Sequence, residues 1–142
     1  MKKYKTGYTQ GVYDMFHVGH LNLLRRAKEQ CEYLIVGVNS DRLVQEYKHH
    51  STVIAEEDRK YIIENIKAVD ECFIADTLDK TEIIQEHPFD VIFIGDDWKG
   101  NARWKKTEEE LKPFGATVVY LPHTPGVSST ELREEKEERV HE

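Results

Sequence analysis

Tyr33-Leu34-Ile35-Val36-Gly37-Val38-Asn39 is a near-continuous apolar run. It is short enough for a strand, and it lacks the alternation of a strand with one wet face. Such a run is expected of a parallel strand covered on both sides. Asp90–Gly95 (DVIFIG) is a second run of the same kind, and Ala116–Leu121 (ATVVYL) a third. Tyr4–Gly11 reads as the first strand and Cys72–Ile74 as a short one.

Helical stretches fall between these strands. Val18–Glu29 places Leu21, Leu24 and Ala27 roughly on one face. Asp41–Tyr47 is a short helix, and Glu56–Lys67 a longer one expected to turn Tyr61, Ile62, Ile63 and Ile66 inward. Thr81–Glu86 stops before Pro88, Lys105–Lys112 precedes the last strand, and Ser128–Glu138 closes the chain. Strand–helix alternation predicts an α/β fold: a Rossmann-like open parallel sheet of about five strands with helices on both faces. The 142 residues are read as one domain, 1–142.

With 39% hydrophobic and 33% charged residues the chain reads as globular, with no run of the roughly 20 apolar residues a membrane helix needs. The basic stretch Met1–Gln10 lacks the apolar core of a signal peptide. Two cysteines, Cys31 and Cys72, are too few for a disulfide framework and are expected as buried thiols in a reducing, cytoplasmic setting. A net charge of −7 argues against general nucleic-acid binding but leaves room for a local phosphate pocket.

In open parallel sheets ligands bind beyond the carboxyl ends of strands. Gly11-Val12-Tyr13-Asp14-Met15-Phe16-His17-Val18-Gly19-His20 lies there, joining the first strand to the first helix. Three readings fit His17 and His20: a phosphate grip at a helix start, half of a metal site, or imidazoles that cap the helix. Gly19 leaves room for a bulky anion to approach backbone. Ser128-Ser129-Thr130-Glu131 follows a Pro125-Gly126 loop and matches a capping box, which also offers hydroxyls and free N–H groups to phosphate. Lys48 sits in a polar loop, and Arg59 on the next helix is either a surface or ion-pairing residue or a support for the site. Gly95-Asp96-Asp97-Trp98 ends a strand with an acceptor and an aromatic face.

Taken together these segments resemble the cytidylyltransferase family of the HxGH nucleotidyltransferase superfamily. The resemblance runs from about Thr6 to Glu134 and rests on GVYDMFHVGH, EYKHHSTVIAEEDR, AVDE (Ala68–Glu71), GDDW and HTPGVSST (His123–Thr130). It implies transfer of a nucleotidyl group from CTP to a small phosphorylated alcohol, glycerol 3-phosphate in the subgroup with GDDW. Adenylyl transfer on the same scaffold, as in making FAD, is the alternative, with phosphocholine or phosphoethanolamine as further acceptors. A nucleotide-binding module without turnover is the non-enzymatic one.

The resemblance assigns roles by position. His17 and His20 would stabilise the α-phosphate, and Lys48 would bridge it to the attacking phosphate. Gly11, Val12, Gly19, His123, Thr124, Gly126, Ser128, Ser129 and Thr130 would line the nucleotide. Asp96 and Trp98 would lie near base and ribose, Asp14 near the acceptor or the metal, and Arg59 beside the phosphates. The family implies Mg²⁺ carried with the triphosphate and a homodimer; no residue is named as a metal ligand. His123 and Pro125 stand where the family has arginine and glutamate, Val12 where it has threonine or serine, and Lys67 where arginine is common.

Overall fold

The computed structural model describes residues 2–96 and 99–122. Five strands alternate with helices: β1 (Tyr4–Gly11), α1 (Val18–Gln30), β2 (Cys31–Asn39), α2 (Asp41–Lys48), α3 (Glu56–Glu64), β3 (Glu71–Ala75), α4 (Lys80–Glu86), β4 (Val91–Gly95), α5 (Ala102–Leu111) and β5 (Thr117–Leu121). A 3₁₀ turn, Lys112–Phe114, follows α5. The helix expected over Ser128–Glu138 lies outside the described residues.

The strands form one sheet in the order β3-β2-β1-β4-β5, every neighbour parallel. The chain walks outward from β1 to β3, then returns to lay β4 on the other side of β1. The order therefore reverses between β1 and β4, and a crevice opens at their carboxyl ends. Gly11 ends β1 and Gly95 ends β4, so the histidine loop and Asp96 border that crevice.

Alternate residues of each strand face two separate cores. Leu34, Val36 and Val38 of β2 with Val91 and Phe93 of β4 pack against Leu24 and Ala27 of α1 and Ile63 of α3. On the opposite face Tyr8, Ile35 and Ile92 pack with Ile83 and Ile84 of α4 and Leu111 of α5. Tyr8 stacks on Phe73 and Phe89 with ring centroids 5.9 and 5.0 Å apart. It lies so close over Gly37 that a Cβ there would overlap its hydroxyl. Gly37 is thus the position in the deciding apolar run where a side chain has no room.

Several elements differ from the sequence reading. β2 begins at Cys31 because Tyr4 of β1 pairs with it, adding Glu32 to the ladder although its side chain is exposed. α5 begins at Ala102, where the Asn101 side chain caps the helix by accepting from the Arg103 N–H at 2.9 Å. The helix expected over Glu56–Lys67 stops at Glu64, and its inner face is only partly the one expected. Ile63 is fully buried and Ile66 packs against the same core, but Arg59, one turn before Ile63, is fully buried too, whereas Tyr61 is 66% and Ile62 39% exposed. The apolar pattern misplaced Tyr61 and Ile62 because an arginine shares the inward face with Ile63. Cys31 is buried as expected, but Cys72 only partly so.

Candidate active site

The loop from β1 to α1 makes a sharp reversal. Tyr13 and Met15 both occupy the left-handed region, at φ 54° and 52°. Each non-glycine residue held there costs about 1–3 kcal/mol, a cost tolerated where surrounding structure fixes the loop. Tyr13 is buried and meets the His20 ring edge-on at 5.4 Å.

His17 is the N-cap of α1. Its Nδ1 accepts the Gly19 N–H at 3.0 Å, and the His17 N–H donates to His20 Nδ1 at 3.3 Å, closing a reciprocal capping box. The two rings stack with centroids 3.9 Å apart. The capping reading is therefore correct, and it has a chemical consequence. Each Nδ1 is an acceptor, so each neutral ring carries its proton on Nε2. The spacing of the two histidines fixes tautomer as well as position.

Both rings are held neutral. Burial lowers the His17 pKa. Burial, then the neighbouring His17, bring His20 down to about 4 against an opposing pull from Asp14. His17 Nε2 is buried and finds no hydrogen-bond partner among the described residues. An unmade buried hydrogen bond costs about 1–3 kcal/mol, and a phosphate oxygen is an acceptor that would complete it. No group of three or more His, Cys, Asp or Glu residues that could hold a metal ion occurs among the described residues.

The remaining residues named from the sequence fall into two groups. Val12, Asp14 and Arg59 form one knot. Arg59 is fully buried, and its guanidinium donates to Ile54 O at 2.9 Å, Val12 O and Asn39 O at 2.7 Å, and Asp41 Oδ1 at 2.6 Å. Asp14 is 2% exposed and accepts the N–H of Val53 at 2.7 Å and of Ile54 at 2.9 Å. Lys48 ends α2, exposed, just before the left-handed cap His49. Asp96 is exposed at the carboxyl end of β4. Trp98, His123, Thr124, Gly126, Ser128, Ser129 and Thr130 lie outside the described residues.

Two features escaped the sequence reading. Asp41 opens α2 and binds Arg59, the Thr52 hydroxyl at 2.9 Å and the Glu56 N–H at 3.3 Å. Burial opposes its ionisation, but the bonds from Arg59, Thr52 and Glu56 outweigh that and lower its pKa. Asn39, the last residue of β2, and Gln10, next to last in β1, form a chain: Gln10 donates to Asn39 at 2.7 Å, and Asn39 to the Tyr47 hydroxyl at 3.0 Å. Polar residues at the carboxyl ends of buried strands were the available signal for both.

A reversal of strand order, a histidine-capped helix at that reversal and the end of α2 with Lys48 nearby are the arrangement of an α/β nucleotide-transfer domain. Residues 8–135 match the cytidylyltransferase-like family, and the chain belongs to that family. It is 40% identical over 131 residues to the glycerol-3-phosphate cytidylyltransferase of Bacillus spizizenii, covering 89% of this chain and 93% of that protein. It is 37% identical over 117 residues to the FAD synthase of Thermococcus kodakarensis, covering 80% and 76% respectively. The fold is shared with a lipopolysaccharide core biosynthesis protein of Thermoplasma volcanium, at a TM-score of 0.72 and 23% identity over 85% of this chain and 97% of that one.

Proposed function

We propose that this enzyme transfers the cytidylyl group of CTP to glycerol 3-phosphate, giving CDP-glycerol and pyrophosphate. The carrying observation is the buried, unpartnered Nε2 of His17 beside the stacked His20 at the start of α1. Two neutral Nε2–H donors there suit the non-bridging oxygens of an α-phosphate, where charge builds in the transition state. An oxygen of the acceptor's phosphate attacks the α-phosphorus. The new P–O bond forms as the bond to the β-phosphate breaks, and its electron pair leaves with pyrophosphate. Lys48 bridges the attacking phosphate and the α-phosphate. Likeness to the family adds Gly11, Val12 and Gly19 at the phosphates, Asp96 and Trp98 at base and ribose, and residues 123–130 at the β- and γ-phosphates.

Mg²⁺ enters as part of the substrate, MgCTP, held by phosphate oxygens. The 40% identity to a glycerol-3-phosphate cytidylyltransferase supports both nucleotide and acceptor. The FAD synthase likeness favours adenylyl transfer as the second reading. A cytoplasmic homodimer belongs to the same proposal. Two cysteines, too few for a disulfide framework, support a reducing compartment, and exposed Tyr61 and Ile62 offer apolar surface to a second copy. The test is pyrophosphate release with CTP or ATP against glycerol 3-phosphate, phosphocholine, phosphoethanolamine and ribitol 5-phosphate. CTP with glycerol 3-phosphate is expected to give the highest kcat/KM; a preference for ATP overturns the proposal.

A further inference from the structure

We infer that Asp14 is a positioning residue that acts through Lys48, its carboxylate tying the lysine loop to the histidine loop. The inference rests on the cytidylyl-transfer reading for its kinetic part only.

The segment from His49 to Ala55 joins α2 to α3 and follows Lys48 directly. Much of its surface is wet: Ser51, Val53 and Ala55 are exposed, Val53 by 48%. Yet three consecutive residues of it are bound to two carboxylates. Asp41 takes the Thr52 hydroxyl, while Asp14 takes the amides of Val53 and Ile54, one on each oxygen. Asp41 belongs to α2 itself, so its bond folds the segment back on its own helix. Asp14 belongs to the strained histidine loop, between Tyr13 and Met15. Its two bonds fix where the segment lies relative to His17 and His20. Arg59 reinforces the same junction by holding Val12 O and Ile54 O on one guanidinium.

A direct role at the acceptor is chemically less apt. The acceptor is itself a phosphate dianion, and a buried carboxylate beside it would repel it. Two amide donors to a carboxylate, by contrast, make a strong, directional tether. Placing an ammonium within reach of two phosphates demands a loop fixed to a fraction of an ångström.

Asp14→Asn tests this with two readouts. Amide exchange at Val53 and Ile54 is expected to quicken about tenfold or more, while β1 and β2 keep their protection. In pyrophosphate release with CTP and glycerol 3-phosphate, the substitution is expected to cut kcat/KM by about thirtyfold or more in the parent, but less than about threefold in a Lys48→Ala background. Equal losses in the two backgrounds would show that Asp14 acts on the reactants or through His20 rather than through Lys48, and would overturn the inference. Unchanged exchange at both amides would overturn it whatever the kinetics. If the parent releases no pyrophosphate from CTP, the functional proposal fails and the exchange experiment alone decides the tether. Should Asp14→Asn not fold, Val53→Pro removes one donor, keeps the carboxylate, and is read by exchange at Ile54 and the same cycle.

Discussion

Replacing His17 separates the two jobs its ring performs. In His17→Asn the side-chain oxygen can still accept the Gly19 N–H, so the helix keeps a cap, but the Nε2–H donor is gone. Losing one preorganised donor to a developing oxyanion costs about 2.7–4 kcal/mol, or about 10²–10³ in kcat. Folding stability moves the other way. Relief of the unpartnered buried nitrogen returns about 1–3 kcal/mol, against about 0.5–1.5 kcal/mol for the lost stack on His20. His17→Asn is therefore expected to melt at or above the parent temperature while turning over at least a hundredfold more slowly. His17→Ala loses the cap as well, about 1 kcal/mol, and is expected to melt about 2–4 °C below His17→Asn. The assays are pyrophosphate release at saturating CTP and calorimetric melting without nucleotide. A His17→Asn enzyme with kcat within about threefold of the parent would refute the reasoning, because the donor would then lie outside the reacting centre.

Three further outcomes follow from the geometry. His20 titrates at about 4 in the fold against about 6.5 unfolded, so the unfolded chain binds the extra proton. Stability is complete above pH 6.5, and about 3 kcal/mol is lost as pH falls to 4. Urea titrations should show that loss in the parent and a smaller one in His20→Asn; parallel pH profiles would contradict it. Gly37→Ala drives a methyl into the buried Tyr8 hydroxyl and within 3.3 Å of the Phe73 ring, and should destabilise by about 1–3 kcal/mol in denaturant unfolding. No change would mean that the stacked tyrosine shifts freely. Arg59→Ala strands three carbonyls and the Asp41 carboxylate, and should cost about 3–5 kcal/mol; a cost below about 1 kcal/mol would show that water replaces the guanidinium.

The sheet was legible because buried parallel strands write themselves as apolar runs, and β2, β4 and β5 each do so. α3 was read correctly at Ile63 but not at Tyr61, Ile62 and Arg59, because period alone treats a charged residue as outward-facing. Arg59 points inward since carbonyls from three separate segments converge on it, a fact of tertiary structure that no local window contains. The histidine pair was legible as a place but not as chemistry. Spacing left capping and phosphate binding as rivals, whereas in the geometry they are compatible: the cap occupies Nδ1 and leaves Nε2 as the nitrogen that the proposed phosphate contact would use. Asp14 illustrates the reverse case. Its position in the motif suggested contact with substrate, and its buried bonds to Val53 and Ile54 turn it toward the protein's own backbone.

The central claim concerns the protonation of two imidazoles and what they meet. Nitrogen NMR of ¹⁵N-histidine-labelled protein, titrated with MgCTP at neutral pH, tests it most directly. Before nucleotide, His17 and His20 should both show neutral rings protonated at Nε2, and MgCTP should shift the His17 Nε2–H strongly while leaving Nδ1 unprotonated. Imidazolium or Nδ1-protonated rings in the free protein, or a His17 signal that ignores saturating MgCTP, would contradict the account.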